Sequence, residues 1–382
     1  MITRTAVRAA PHPGRLRHVQ SDPPTVRGAL GYPTAQRLAA QLLRGTPATS
    51  AEQAVVRILA VQGQDPRGLR LAVRARTAGV TAADVEDAFT ESRSLVVAWL
   101  NRGTLHLVRA ADYWWLHPLT TPQLATANTL RLRRAGVSES HAARGIDVVA
   151  ARTIEAGPQR RAELRAVLDA AGVPTAGQAL MHLIYAAALR RHLIRGPIVA
   201  GEHAYVVAES WLGPAPQPLD RAEALGRLAR RYLAGHGPAD ARDLAVWGGV
   251  NLGDARRGLA AIADETTTDA DGLIDLTNRA AVDDIAPPRL LGPFDPILHG
   301  WASREAILGP HAARVVTSNG IFRPFAMVDG RAVALWRLDG DHVRLTPFEP
   351  LPDRALQHLE QDAARVLDFL GLPPKDWRVD AP

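Results

Sequence analysis

The apolar positions change period several times along the chain, and each change marks an element. Leu38, Leu42 and Leu43 stand at helical spacing, so ordered structure is expected from about Pro33. Residues 1–32 carry prolines and arginines with little periodicity and read as a flexible tail. Ser50 is a good N-cap, Gln53 completes a capping-box pattern, and Val55, Ile58 and Leu59 then share one face. A third helix is expected after Thr81, with Asp84 in the box position and Val85 and Phe89 facing one way. Trp99, Leu100, Leu105, Leu107 and Val108 flank Arg102-Gly103, the pattern of a hairpin.

Between residues 160 and 210 the order is clearest. RRAELRAVLDAAG reads as a helix closed by Gly172, GQALMHLIYAAALRR as a second helix, and HLIRGPIVAGEHAYVV as two short strands. Helix, tight turn, helix and two-stranded wing is the winged-helix order, whose second helix usually enters the major groove. A similar order recurs over Asp220–Ala234, ADARDLAVW, a Gly248-Gly249 turn, a helix from Gly253-Asp254, and a hairpin about Asp271-Gly272. From about Leu290, Asp329-Gly330 and Asp339-Gly340 each separate alternating runs, and Asp353 caps a terminal helix ended by Gly371. The expected fold is therefore α+β, mainly helical: tandem winged-helix domains over 33–135, 136–217 and 218–289, then a β-rich module with one helix over 290–382.

Composition changes this picture little. The chain of 382 residues is 47% hydrophobic, with no cysteine, a net charge of +6 and a pI near 10.3. Absence of cysteine excludes disulfides and thiolate chemistry and suits a reducing compartment. No long apolar run suggests a membrane span, and the N-terminus lacks the apolar core of a signal peptide, so a cytoplasmic protein is expected. Lys375 is the only lysine, so the basicity is almost all arginine. That fits a polyanionic partner, although a GC-rich genome has the same effect.

Common catalytic sets are missing: there is no HExxH pair, P-loop, GxSxG elbow or GxGxxG. The 13 histidines include no pair at helical metal-ligand spacing, so neither a metal nor a cofactor is expected. His106, in a strand-like run, reads as a hydrogen-bonded core or edge histidine, and Asp283-Asp284 as surface charge. One segment stands apart, Val61-Gln62-Gly63-Gln64-Asp65-Pro66. Glutamines two apart share a face only in extended backbone, and Pro66 pushes Asp65 towards that conformation. Both amides then converge on one exposed point. Two surface glutamines in a loop are the ordinary alternative.

That segment, with AQRL near residue 37, WLNRGTLHLV (99–108), ADYWWL (111–116), GPADARDLAVWGGV (237–250), PFDPIL (293–298) and NGIFRPFAMVDGRAVALWR (319–337), resembles the AlkZ-like DNA glycosylases. The series runs in the same order over nearly everything after the tail. The resemblance implies three tandem winged-helix domains and a β-rich module around a concave face that binds double-stranded DNA. It also implies that the family's catalytic Gln-apolar-Gln motif falls on Gln62 and Gln64. Gly63 departs from that motif, replacing the usual apolar side chain. A hairpin of the C-terminal module is implied to probe the minor groove, with Asn319 to Arg323, including Phe322, as the candidate loop. A buried strand with Phe322 and Phe325 in the core is the alternative there. Arg190 and Arg191, at the end of the second-domain helix, are candidate phosphate contacts or simply a solvated helix terminus.

The expected activity is metal-free hydrolysis of the N-glycosidic bond of N7-alkylated guanine, including interstrand cross-links, by a monomeric, nucleoid-associated protein acting on alkylated duplex DNA. The competing class is a catalytically silent winged-helix protein, either a regulator or a lesion-binding factor. A regulator usually carries a dimerisation element, and no coiled-coil heptads are present. An RNA-binding protein would show aromatic-rich single-strand motifs, which are missing.

Overall fold

A computed structural model describes residues 32–280 and 286–382. The expected tail and Asp283-Asp284 lie outside the described residues, apart from Tyr32, which opens the first helix. The first unit comprises α1 (Tyr32–Ala40), α2 (Ala51–Ile58), β1 (Val61–Gln62), α3 (Pro66–Arg74), α4 (Ala82–Thr90), β2 (Leu95–Leu100), β3 (Thr104–Arg109), α5 (Ala110–Thr120) and α6 (Pro122–Arg134). Leu42 and Leu43 fall beyond α1 rather than on it, because the chain turns at Leu42 with φ 57°. Ser50 caps α2 as expected, but the Gln53 side chain turns back to the Thr49 amide and hydroxyl. Thr81 and Asp84 form the full reciprocal box at α4. The sequence reading missed α3, although Asp65 as N-cap and Pro66 at the first helical position are both start signals.

The second unit holds α7 (Glu139–Ala156), α8 (Arg161–Ala170), α9 (Ala179–Leu189), β4 (Leu193–Val199), β5 (Glu202–Val207) and α10 (Ala208–Leu212). Gly172, at φ 68°, closes α8. Here α9 departs from the expectation that it enters a groove. It packs against α6 and α7, and no residue within it is exposed. Its polar side chains are His182, which is bonded to Asn128 of α6, and the buried Tyr185, so α9 has no free polar face with which to read bases. The two hairpins also do not stand apart. They join in one five-stranded sheet of order β1-β3-β2-β4-β5, through Val97 opposite Arg195.

The third unit contains α11 (Arg221–His236), α12 (Ala241–Gly248), α13 (Leu252–Ala260), β6 (Thr266–Thr268) and β7 (Ile274–Leu276). Gly249 makes the left-handed turn, and α13 starts slightly earlier than expected because Asn251 caps it through the Asp254 amide. The C-terminal unit has β8 (Arg289–Leu291), α14 (Glu305–Leu308), α15 (Ala312–Val315), β9 (Phe325–Val328), β10 (Arg331–Asp339), β11 (His342–Pro347), α16 (Asp353–Phe369) and β12 (Asp376–Val379). Its sheet runs β12-β11-β10-β9-β8, antiparallel except between β11 and β12. Both Asp-Gly pairs turn hairpins, whereas Asp353 is the first helical residue and Pro352 the cap. Among the described residues no helix is long and apolar enough to cross a membrane.

Two buried ion pairs fix the C-terminal unit to the first. Arg74 meets Asp362, whose carboxylate also accepts from the Leu290 amide at 2.7 Å. Arg76 meets Asp295 through two bonds of 2.8 and 2.9 Å, with both side chains fully buried. Gln41 accepts from Arg76 and donates to the Gly235 carbonyl, which brings α11 into the same knot. The chain also closes over the start of α3. A Cβ at Gly68 would lie 2.4 Å from the Pro293 carbonyl oxygen, so only glycine permits this approach. The result is that residues 292–295 lie directly against the segment that follows Gln64.

Candidate active site

The glutamine segment begins as an edge strand. Val61 lies opposite Leu107 and Gln62 opposite His106, and the Gly63 amide donates to the Leu105 carbonyl at 2.7 Å. Alternation therefore sends Val61 into the core beside Leu107 and turns Gln62 to the His106 face. Gly63 faces the Val61 side, where a Cβ would meet Leu69 Cδ1 at 3.4 Å and Val97 Cγ1 at 3.5 Å. Leu69 and Val97 thus already line the position that a larger middle residue would occupy. After Gln64 the Asp65 side chain accepts the Gly68 amide at 2.6 Å and starts α3. The bend is pinned on both sides. The exposures differ from expectation: Gln64 is exposed, but Gln62, held in the ladder, is only 7% exposed. Among the described residues neither amide has a hydrogen-bond partner in the protein.

His106 is buried as expected, with Nδ1 3.0 Å from the Thr104 carbonyl oxygen. Burial, and then the nearby Arg102, push its pKa down to about 3, so the ring is neutral at physiological pH. Arg102 itself takes φ 55° in the β2–β3 turn and donates to the Val246 and Trp247 carbonyls at the end of α12. Its own pKa is lowered to about 10, first by burial and then by Arg304. Asn101, before it, is fully buried with both amide atoms unpartnered.

A second histidine reaches this region from the far end of the chain. His299 lies near Arg102, Arg304 and His106, and burial first, then those charges, hold its pKa well below the usual imidazole value. Its ring sits 4.3 Å from Phe322 and 6.2 Å from Phe294 by centroid, and its Nε2 is buried without a partner. Phe294 has φ 58°, an unusual conformation for a non-glycine residue. Sequence reasoning assigned no chemistry to Asn101, Arg102, Phe294 or His299. WLNRGTLHLV carries the first two, PFDPIL carries Phe294, and His299 follows directly after it, yet no spacing links segments nearly two hundred residues apart.

The Asn319–Arg323 segment is a tight turn rather than a strand. Val316 bridges to Phe322, the Thr317 amide donates to the Ile321 carbonyl at 2.9 Å, and the Thr317 hydroxyl donates to Asn319 Oδ1 at 2.5 Å. Asn319, Ile321 and Arg323 are exposed, while Phe322 is buried beneath them against Phe294 and His299. Phe325 lies fully in the core. Through Phe322, His299 and His106 the turn is brought next to the glutamine strand. Arg190 and Arg191 are exposed at the end of α9, with Arg191 at φ 63°. Arg190 lines a cavity of about 300 Å³ with residues of α6 and α7, and Arg191 lies near Tyr113 and His117 of α5. Their neighbours are helices rather than the glutamine segment. Among the described residues no group of three His, Asp or Glu side chains is placed to hold a metal ion.

The chain as a whole has known relatives. The chain is 26% identical over 373 residues to an interstrand DNA cross-link repair glycosylase of Streptomyces sahachiroi, spanning 90% of this chain and 97% of that protein. Among solved structures it resembles the Streptomyces sahachiroi DNA glycosylase AlkZ with a TM-score of 0.74 and 26% identity, over 91% of this chain and 98% of that one. The family model described as DNA glycosylase AlkZ-like matches residues 55–369, a span that takes in both glutamines, the Arg102 turn and the PFDPIL segment. The chain belongs to the AlkZ-like DNA glycosylase family.

Proposed function

We propose that the protein is a monofunctional DNA glycosylase that hydrolyses the N-glycosidic bond of N7-alkylated guanine, with Gln62 and Gln64 as its catalytic residues. The observation that carries this reading is the extended, doubly pinned segment. Gln62 is fixed in a ladder, Gln64 is exposed at the following bend, and neither amide is committed to the protein. N7 alkylation makes the base cationic and a good leaving group. The bond from C1′ to the base nitrogen breaks with its electron pair going to the base, which neutralises that charge. Positive character builds on the deoxyribose, and amide oxygens held beside it stabilise it and orient a water. Water oxygen then bonds to C1′ and its proton passes to solvent, leaving an abasic site. Glutamine is not a base at neutral pH, so the chemistry is restricted to activated lesions.

The relative from Streptomyces sahachiroi is named for interstrand cross-link repair, and the same substrate class is proposed here. An exposed Gln64 suits a lesion too large to flip into a pocket. In this reading the helix-turn-helix-hairpin units over 33–135, 136–217 and 218–289 are tandem winged helices that grip the backbone of duplex DNA as a monomer. With α9 buried, phosphate contacts fall to exposed arginines, namely Arg190, Arg191 and Arg256 on α13. Asn319 and Arg323 reach the minor groove, and Phe322 anchors their turn from below.

A silent lesion-binding protein is the second reading, and the 7% exposure of Gln62 favours it. One assay separates them. Duplex DNA with a single N7-methylguanine is incubated with the protein and heated in alkali. Strand cleavage that falls at least a hundredfold in Gln62→Ala and Gln64→Ala is expected; an inactive wild type, or equal cleavage by the variants, refutes the hydrolase.

A further inference from the structure

We infer that His106 is a positioning residue of the glutamine site, offering Nε2 as a hydrogen-bond acceptor beside the Gln62 amide. The inference rests on the glutamine reading above and deepens it. It begins with register. Gln62 and His106 are directly opposite on adjacent antiparallel strands, so both side chains leave the same face with Cβ atoms roughly 5 Å apart. The tautomer follows from the Thr104 contact. A carbonyl oxygen only accepts, so the nitrogen 3.0 Å from it, Nδ1, carries the proton. Nε2 is then a bare lone pair, and among the described residues no protein group donates to it.

The surroundings keep it so. The ring is 3% exposed and lies near the Arg102 charge, which opposes imidazolium formation. A neutral histidine with one committed nitrogen presents an acceptor only. Beside it, the Gln62 amide lacks a partner too. One water can donate a hydrogen to His106 Nε2 and the other to Gln62 Oε1, which leaves its oxygen lone pairs free for C1′. The imidazole accepts a hydrogen bond and takes no proton; the proton lost on attack goes to solvent. His106 therefore acts on the nucleophile, whereas the bond from Nδ1 to Thr104 fixes the ring.

The test uses the full-length protein and single-turnover release of N7-methylguanine from duplex DNA. His106→Phe is expected to lower the rate roughly 10- to 100-fold, the loss of one hydrogen bond to the reacting water, with the Kd for undamaged duplex unchanged within about twofold. His106→Gln, which returns an amide near the position of Nε2, should recover part of the rate. A His106→Phe protein that melts like wild type and keeps its rate overturns the inference. If His106→Phe does not fold, the NMR titration below decides. An inactive wild type refutes the glutamine hydrolase instead. In that case the decision passes to 15N NMR of the histidine rings, titrated with duplex carrying a cationic pyrrolidine abasic analogue. A His106 Nδ1–H tautomer whose Nε2 resonance moves on binding supports the inference; an Nε2–H tautomer, or an unmoved resonance, overturns it.

Discussion

Two buried polar regions lie within a few residues of each other, and their hydrogen bonding is opposite. In the knot around Arg76, both terminal guanidinium nitrogens and both carboxylate oxygens of Asp295 are engaged, with Gln41, the Ala72 carbonyl and the Ile297 amide completing it. Only Arg76 Nε is left over. Around Arg102, both amide atoms of the preceding Asn101 and Nε2 of His299 are buried with no partner. Buried polar groups cost free energy unless paired, so a folded chain satisfies them wherever stability is the purpose. The knot is what stability requires. Unpartnered buried atoms also occur elsewhere, at Tyr113, Tyr205 and His236; what sets this region apart is that they gather around Arg102 and His106.

The largest expected effect tests the knot. Asp295→Ala strands the fully buried Arg76 charge and should cost about 3–5 kcal/mol in urea unfolding. A loss below about 1 kcal/mol would mean the pair does not hold the C-terminal unit in place. Next comes acid. Folded pKa values are pushed down to about 3 for His106 and His236 and about 4 for His117, below the roughly 6.5 of an unfolded chain. The unfolded state therefore binds protons first. Stability from these rings is complete above about pH 6.5 and declines as pH falls towards about 3, each ring contributing a slope of up to about 1.4 kcal/mol per pH unit. Urea midpoints between pH 7 and 4 should show this, and His106→Phe should lower the slope by one ring's share.

A smaller effect sharpens the other side of the comparison. Asn101→Leu, of similar volume, removes two unpartnered polar atoms and should raise stability by about 1 kcal/mol while reducing base release. Lower stability would show that the amide is satisfied in solution. The smallest change is expected for Gly63→Ala. Its Cβ meets neighbours at ordinary distances, the nearest at 3.4 Å, and the backbone is not left-handed. Thermal melting should show a gain of about 0.5 kcal/mol from reduced freedom of the unfolded chain, with activity kept. A marked loss of activity would make glycine itself a requirement of the site.

Most of the local architecture follows from the residue pattern alone. Ser50, Thr81 and Asp220 cap helices, the three Asp-Gly pairs lie at hairpin turns, and alternation about Arg102-Gly103 gives β2 and β3, because each depends on interactions within a few residues. The glutamine segment was legible for the same reason. Pro66 and Asp65 act locally, and extended backbone at Gln62 follows from them and from the strand it joins. Other features had no local cause. Nothing in the chain's pattern says that the first two hairpins share one sheet, or that Gln62 is covered while Gln64 is open. Nor does it say that His299 and Phe322 arrive beside His106. Those follow from long-range packing through Gly68, Pro293 and the Arg76–Asp295 pair, where contact is set by complementary shape and charge between distant segments. The sequence by itself determined the capped helices and hairpins named above and the two glutamines; tertiary structure alone decided their company, because a site's polar neighbours are chosen by docking rather than by periodicity.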